Sequence, residues 1–411
     1  MKRVLMIAFH FPPAALGSGH LRTLGFARYL PEQGWEPAVL SASAKAFPRV
    51  DAMNLSLIPD NCRVRRAFAL DVRRHLSIRG KYPGFLAQPD GWASWWPAAV
   101  IQGLSLIKRY RVKAIWSTYP IMTAHCIAYT LSRLTGLPWI ADFRDPVSSS
   151  VEAENPFSVG SQHRWEQRIL RRATRVVFTT RGARDACAAR YPDADRAGKL
   201  AVIENGYDEA AFAEMPSPAP RQAGSPLVLL HSGALYPDGR DPFPFFEALA
   251  RLRAAGKAGP DIFRVVLRAS SCETRYRQEI DRLGLADIVS LAPPIGNREA
   301  LFEQASADAL LLFQGSKFDR QIPAKLYEYL RIGRPIFALV GESGDTEALL
   351  RDAGGAEVVP IADVSGIELG LARFVECLLG GGQLERSRDV ARWSRRRGAT
   401  DLAHLLDEVV A

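Results

Sequence analysis

The chain has 411 residues, with 53 Lys and Arg against 44 Asp and Glu and 47% hydrophobic residues. That length exceeds one ordinary core and fits two domains, while the composition excludes disordered and collagen-like classes. The formal charge of +9 divides unevenly: residues 1–205 carry +14 and residues 206–411 carry −5, so a basic half is joined to an acidic one.

In chain order, Lys2-Arg3 precede the apolar run Val4–Phe9. This run is shorter than a secretory core and reads as a buried first strand, Val4–Ala8. Helix Gly19–Gln33 follows, then strand Glu36–Leu40, helix Ala99–Tyr110 and strand Ala114–Ser117. Helices Ile121–Thr135 and Gln162–Arg172 and strands Trp139–Asp142, Arg175–Thr179 and Leu200–Ile203 complete the first half. The second half restarts the rhythm, with strands at Leu227–His231, Phe263–Leu267, Val289–Ala292, Ala309–Phe313, Ile336–Val340 and Glu357–Pro360. β-Branched runs alternating with amphipathic stretches predict an α/β protein with parallel sheets. Glu214–Pro226 holds four prolines among small polar residues and predicts a linker. Two doubly wound domains joined this way place a cleft between them, with ligands at the carboxyl ends of the strands.

The five cysteines, Cys62, Cys126, Cys187, Cys272 and Cys377, have neither metal-ligand nor redox-motif spacing. They fit a reducing compartment. The longest uncharged run, Ala114–Ser132, includes Ser117, Thr118, Tyr119 and His125 and is too polar to span a bilayer. The expectation is a cytoplasmic protein, at most peripheral on the inner face of the membrane.

Four segments carry candidate chemistry. The first strand runs into Phe11-Pro-Pro-Ala-Ala-Leu-Gly-Ser-Gly-His20. Gly17 and Gly19 let backbone amides approach an anion or a sugar hydroxyl at a helix start. The alternative is a plain tight turn, since Arg22 stands where Gly-x-Gly-x-x-Gly needs its third glycine. Strand Trp139–Asp142 ends in Asp142-Phe-Arg144-Asp145, at the edge where catalytic charge belongs; the alternative is an ion pair between Arg144 and one aspartate. His231, Ser232 and Gly233 close the first strand of the second half, and Arg240 follows near a helix start. They suit a phosphate or an ordinary strand-to-helix turn. In Arg320-Gln321-Ile-Pro323-Ala-Lys325-Leu-Tyr-Glu328, Pro323 starts a helix that Gly333 ends. Lys325 and Glu328 share a face of its first turns, suited to a ribose diol and a diphosphate or left as an exposed pair.

The order of these segments, with Glu204-Asn-Gly-Tyr-Asp208 between them, resembles the retaining glycosyltransferases of family 4 over nearly the whole chain. It looks closest to the bacterial branch that builds polysaccharide or lipopolysaccharide. The resemblance implies the GT-B fold, two Rossmann-like doubly wound domains facing a central cleft. An acceptor domain would occupy 1–208, a linker 209–226 and a nucleotide-sugar donor domain 227–383. A C-terminal helix in 384–411 would return to the first domain. The implied activity moves a sugar from a nucleotide-diphosphate sugar, UDP before GDP, to a glycan or lipid-linked acceptor. A GT-B-like nucleotide-sugar epimerase or a non-catalytic GT-B protein is the alternative.

Carried over residue by residue, Glu328 matches the second glutamate of the family's Glu-x7-Glu motif, which holds the ribose. The first glutamate falls on Arg320, so Arg320 or Gln321 would read the donor sugar differently. Arg240 and Lys325 match cations for the diphosphate, and His231, Ser232 and Gly233 match the turn beside it. Gly17 and Gly19 match the first-domain glycine loop. Arg144 stands between Asp142 and Asp145 where many relatives carry a histidine; these three with Arg240 and Lys325 form the expected catalytic set. No cofactor or metal ion is expected. In a front-face retaining mechanism the leaving phosphate takes the acceptor proton, and preorganised cations meet the main need. Asp193-Ala-Asp195 follows Tyr191-Pro192 in a loop rather than at a strand end, and is set aside as a metal site.

The basic half carries three clusters. Arg164, Arg168, Arg171, Arg172 and Arg175 fall largely on one helical face, with Trp165 beside them. Arg63, Arg65, Arg66, Arg73, Arg74, Arg79 and Lys81 precede Trp92, Trp95 and Trp96, and Lys108, Arg109, Arg111 and Lys113 follow. Cations beside aromatics suit the anionic face of a membrane or a merely solvated surface. No helix-turn-helix, RNP or zinc pattern is present, so nucleic acid is not an expected partner.

Overall fold

The predicted alternation of apolar runs and amphipathic helices folds as two α/β units. The computed structural model describes residues 1–15, 17–144, 147, 156–213, 215, 224–387 and 389–411. Met1–Gly206 together with Arg395–Ala411 forms the first unit, and Tyr207–Ser394 forms the second.

The first sheet contains Lys2–Ile7 (β1), Trp35–Ala42 (β2), Arg63–Ala67 (β3), Ala114–Thr118 (β4), Trp139–Phe143 (β5), Arg175–Phe178 (β6) and Leu200–Val202 (β7). Its order is β3-β2-β1-β4-β5-β6-β7, and Val4 stands between Pro37 on one side and Ala114 on the other in parallel register. Successive side chains point to opposite faces. Leu5 and Ile7 join Leu40, Ile115 and Trp139 in one core, while Val4 and Met6 join Val39, Trp116 and Ile140 in the other. Helix Arg395–Val410 closes the second face with Ala399, Leu402, Ala403 and Leu406. Each leucine buried there contributes about 2 kcal/mol, which anchors this distant segment to the first unit.

β3 was not among the predicted strands. In Arg63-Val64-Arg65-Arg66-Ala67, exposed and half-buried positions alternate. This is an edge strand whose cations face water and discourage further pairing.

The second sheet contains Leu227–Ser232 (β8), Phe263–Arg268 (β9), Val289–Ala292 (β10), Ala309–Gln314 (β11), Ile336–Val340 (β12) and Ala356–Pro360 (β13). Its order is β10-β9-β8-β11-β12-β13. In both units the order reverses beside the first strand, between β1 and β4 and between β8 and β11. Such a reversal opens a crevice at the carboxyl ends of the strands.

Two boundaries differ from the expected ones. Residues 209–212 of the expected linker form the helical turn Glu209–Phe212 of the second unit. Phe212 and Tyr207 are buried in that unit's core, and Arg331 holds Glu209 at 2.6 Å. Of the proline-rich remainder, 214 and 216–223 lie outside the described residues. Residues 384–394, expected with the returning helix, are strapped to the second unit: Gly355 N–H donates to the Glu385 carbonyl at 2.7 Å and Ser387 N–H to that of Ala353 at 2.6 Å. Among the described residues no helix is long and apolar enough to cross a membrane.

Candidate functional site

In the second unit, polar residues that close two apolar strands meet at the reversal point. His231, on β8, is fully buried. Its Nδ1 lies 2.9 Å from the Leu311 carbonyl of β11, and its Nε2 lies 3.0 Å from the Gly233 carbonyl and 3.2 Å from Lys325 Nζ. Burial, and then the neighbouring Lys325 charge, hold the imidazole well below its ordinary range and keep it neutral.

Lys325 is in the first turn of helix Ala324–Ile332, which Pro323 begins. Burial above all, and the Arg240 charge next, pull its pKa down to about 7, while Glu328 one turn on acts in the opposite sense. The approach of Nζ requires a glycine at 233. That residue has φ of 113°, and a Cβ there would lie only 2.8 Å from Nζ.

Arg240 completes the cluster. Its Nε donates to Gln314 Oε1 at 2.9 Å and its NH1 to the Tyr236 hydroxyl at 2.8 Å. The guanidinium also lies 5.1 Å from the ring centroids of Tyr236 and Phe318, so it is fixed before any ligand arrives. Gln314 is fixed in turn, its Nε2 donating to the Gln321 carbonyl at 3.3 Å. Two cations, a neutral imidazole and a helix N-terminus therefore gather at one strand edge. Such a site attracts an anion with several oxygens.

In the first unit, Gly17 and Gly19 lie in the turn Gly17–His20 that leads into helix Leu21–Tyr29. Arg144 NH1 donates to the Gly19 carbonyl at 2.5 Å, and a Cβ at Gly19 would lie 3.0 Å from His10 Nδ1. His10 is lowered to about 4 by burial, then by Arg144 and His20. His20 is lowered by burial, then by Arg395 and Arg144. Two neutral imidazoles thus line the turn that Arg144 holds.

Residues 18–206 match the glycosyl transferase 4-like domain. No curated protein matches the chain in sequence. Solved structures similar to it include Anabaena HepE in complex with UDP, at 15% identity and TM-score 0.61, covering 100% of this chain and 97% of that one. The apo lipopolysaccharide outer core galactosyltransferase WaaB is 14% identical, with TM-score 0.62 and coverage of 99% and 100%. A putative UDP-N-acetylglucosamine 2-epimerase from Listeria monocytogenes is 12% identical, with TM-score 0.56 and coverage of 98% and 94%. At these identities the likeness concerns the fold, which is GT-B. The resemblance to family-4 glycosyltransferases therefore stands on the matched domain, the GT-B fold and the order of the motifs.

Within the glycosyl transferase 4-like domain, Asp142 and Arg144 of the expected catalytic trio have different partners. Asp142 is fully buried, and Arg22 grips both its oxygens, Nε to Oδ2 at 2.8 Å and NH2 to Oδ1 at 3.1 Å. Arg22 also donates to the carbonyls of Ile203 and Glu204, each at 2.9 Å. This clamp ties the helix start to the ends of β5 and β7. The partner of Asp142 is Arg22, not Arg144. Asp145 lies outside the described residues.

In the second unit His231, Ser232, Gly233, Arg240, Lys325 and Glu328 fall at one strand edge, with Ser232 N–H donating to the Tyr329 hydroxyl at 3.2 Å. Gln321 is reached through its backbone carbonyl, and Arg320 is exposed. Asp193 and Asp195 are taken up by Arg196 at 2.5 Å and Arg184 at 2.6 Å. Among the described residues no three His, Cys, Asp or Glu side chains gather as a metal site.

Of the tryptophans expected near the membrane, Trp95 is a core residue, while Trp92 and Trp96 are half-buried against that core. Trp95 is fully buried, Trp92 Nε1 donates to the Ala46 carbonyl at 3.3 Å, and Trp96 Nε1 donates to Thr130 Oγ1 at 3.0 Å. Two arginines of this cluster have protein partners: Arg172, at the helix end, donates to the Ser132 carbonyl at 2.8 Å, and Arg175, the first residue of β6, pairs with Glu408 at 3.3 Å. Arg22, His10, Tyr236 and Gln314 were missed as candidates. Gln314 did carry a signal, a polar residue ending the apolar run Ala309–Phe313.

Proposed function

We propose that the protein is a retaining glycosyltransferase that uses a nucleotide-diphosphate sugar, UDP before GDP, without a metal ion. Its acceptor is a glycan or a lipid-linked glycan of cell-surface polysaccharide synthesis, met at the inner face of the membrane. The observation that carries this reading is the cluster of Lys325, Arg240 and His231 around Gly233. The leaving diphosphate gains negative charge as the bond from the sugar anomeric carbon to its oxygen breaks, and these cations meet that charge in place. An acceptor hydroxyl adds to the same face of the anomeric carbon and passes its proton to the departing phosphate oxygen. Glu328, on the same helix face as Lys325, suits a ribose diol. UDP bound to the fold-related HepE, and the glycosyl transferase 4-like match of the first unit, support the assignment.

The test is thermal unfolding with UDP, GDP and their sugars. Ligand at about 100 times its Kd adds about 2.7 kcal/mol, a rise of about 5–10 °C. Lys325→Ala and Glu328→Ala abolish the rise, and a wild-type protein that answers no nucleotide refutes the reading. The epimerase fold neighbour motivates one control: an epimerase returns an altered nucleotide sugar without acceptor, whereas a transferase releases nucleotide diphosphate.

A further inference from the structure

The carboxyl edge of the first sheet carries an exposed apolar rim among cations. After β3 the chain makes an excursion before helix Trp95–Tyr110, and there Phe68 is 56% exposed, Ile78 81% and Phe85 71%. In the segment after β2, Met53 is 81% exposed. The excursion is bonded to the segment after β2. Arg74 NH1 donates to the Phe47 carbonyl at 2.5 Å, and Arg66 NH2 donates to that of Pro12 at 2.6 Å. The second bond ties the end of β3, where the excursion begins, to the loop that follows β1.

At the tip, Ile78 and Lys81 exchange backbone hydrogen bonds at 2.9 and 3.0 Å across Arg79 and Gly80, whose φ values are 51° and 76°. These are the dihedral signs of a tight hairpin turn of the primed type. A buried core would draw Ile78 inward; here it is exposed, with Arg79 and Lys81 next to it in the turn. Asp71 is the one acid between residues 61 and 89, against seven Lys and Arg. Its carboxylate is engaged by the backbone N–H groups of Arg73 and Arg74.

We propose that this rim docks on an anionic bilayer, with Ile78 and Phe85 entering the interface and Arg79 and Lys81 meeting lipid headgroups. Aliphatic side chains flanked by cations match a negatively charged surface with an apolar interior. A polyanion without apolar depth, such as RNA, leaves Ile78 and Met53 in water. Resting on the glycosyl-transfer reading, the same geometry makes the acceptor amphiphilic: its tail stays in the bilayer while its head reaches the strand edge beside the glycine turn.

Flotation of the full chain with phosphatidylcholine vesicles, with and without phosphatidylglycerol, tests the proposal. Binding is expected only with phosphatidylglycerol. Ile78→Asp should weaken it about tenfold, and Arg79→Ser and Lys81→Ser about fivefold each. Melting of these variants, with and without UDP, should match the wild type, which separates lost docking from lost folding. Flotation unchanged by Ile78→Asp overturns the proposal, as does tight binding to single-stranded RNA with none to vesicles. A protein that floats as expected but shows no UDP response keeps the rim and loses the donor site.

Discussion

The two units share a strand order but treat its reversal point in opposite ways. In the first, Arg22 and Asp142 neutralise each other in a bidentate pair, and the neighbouring histidines are neutral. In the second, Lys325 and Arg240 lie close enough to depress the lysine, with only Glu328 acting against that. The acid at the first reversal point is therefore held in a bidentate pair, whereas the second brings two cations together, a repulsion that an anionic ligand would relieve. This refines the picture drawn from net charge. The acidic half concentrates its few relevant cations in the site, and the basic half has Arg22, Arg172 and Arg175 in structural bonds.

The sharpest way to break the comparison is to open the clamp. Arg22→Ala leaves Asp142 buried and unpaired and also orphans two carbonyls. Loss of one partner of such a pair costs about 3–5 kcal/mol. Denaturant unfolding should show a loss of that size. Arg22→Lys should recover only part of it, because one ammonium cannot make the fork. An Arg22→Ala protein of wild-type stability would mean that the first reversal point is not closed by this pair.

Next in size is removal of the second unit's cations. Arg240→Ala and Lys325→Ala should each lower kcat about 10²–10³-fold, as expected when a preorganised group facing a leaving charge is deleted. Nucleotide diphosphate release in single-turnover conditions measures it. Equal losses in KM alone would assign the cations to ground-state binding instead.

The residues of this site lay open in the sequence because a parallel strand ends in a sharp change of composition. Leu227–Leu230 gives way to His231, Ser232 and Gly233, and Pro323 and Gly333 bracket the helix of Lys325. Twelve of the thirteen strands among the described residues follow from similar punctuation; β3, whose arginines hid a half-exposed edge, does not. What stayed illegible was pairing across distance. Arg22 and Asp142 are 120 positions apart, so no spacing could nominate the bond, and Asp142 read as catalytic because it ends an apolar run. The tryptophans misled for a related reason: an aromatic near cations looks interfacial until the opposing face, here Ala46 and Thr130, is known.

The smallest expected effect separates the units most clearly, because it has the opposite sign from the first. An unfolded lysine titrates near 10.5, and Lys325 in the fold near 7. Below about pH 7 the side chain is charged in both states, and folding carries the whole cost of burying that charge. As pH rises from 7 to 10.5, the folded protein gives up its proton before the unfolded chain does, so the cost declines and then vanishes. Lys325→Met removes the charge at every pH. With allowance for partial solvent screening, it should stabilise the protein by on the order of 1–2 kcal/mol at pH 7, the gain fading toward pH 10. The same variant should lose its thermal response to UDP. In the wild type that response should weaken as pH rises through 7, because the bound diphosphate needs the ammonium. A destabilised Lys325→Met would place the lysine with Arg22 as a structural cation. A stabilised one that no longer binds nucleotide would identify a charge that the fold tolerates for its ligand.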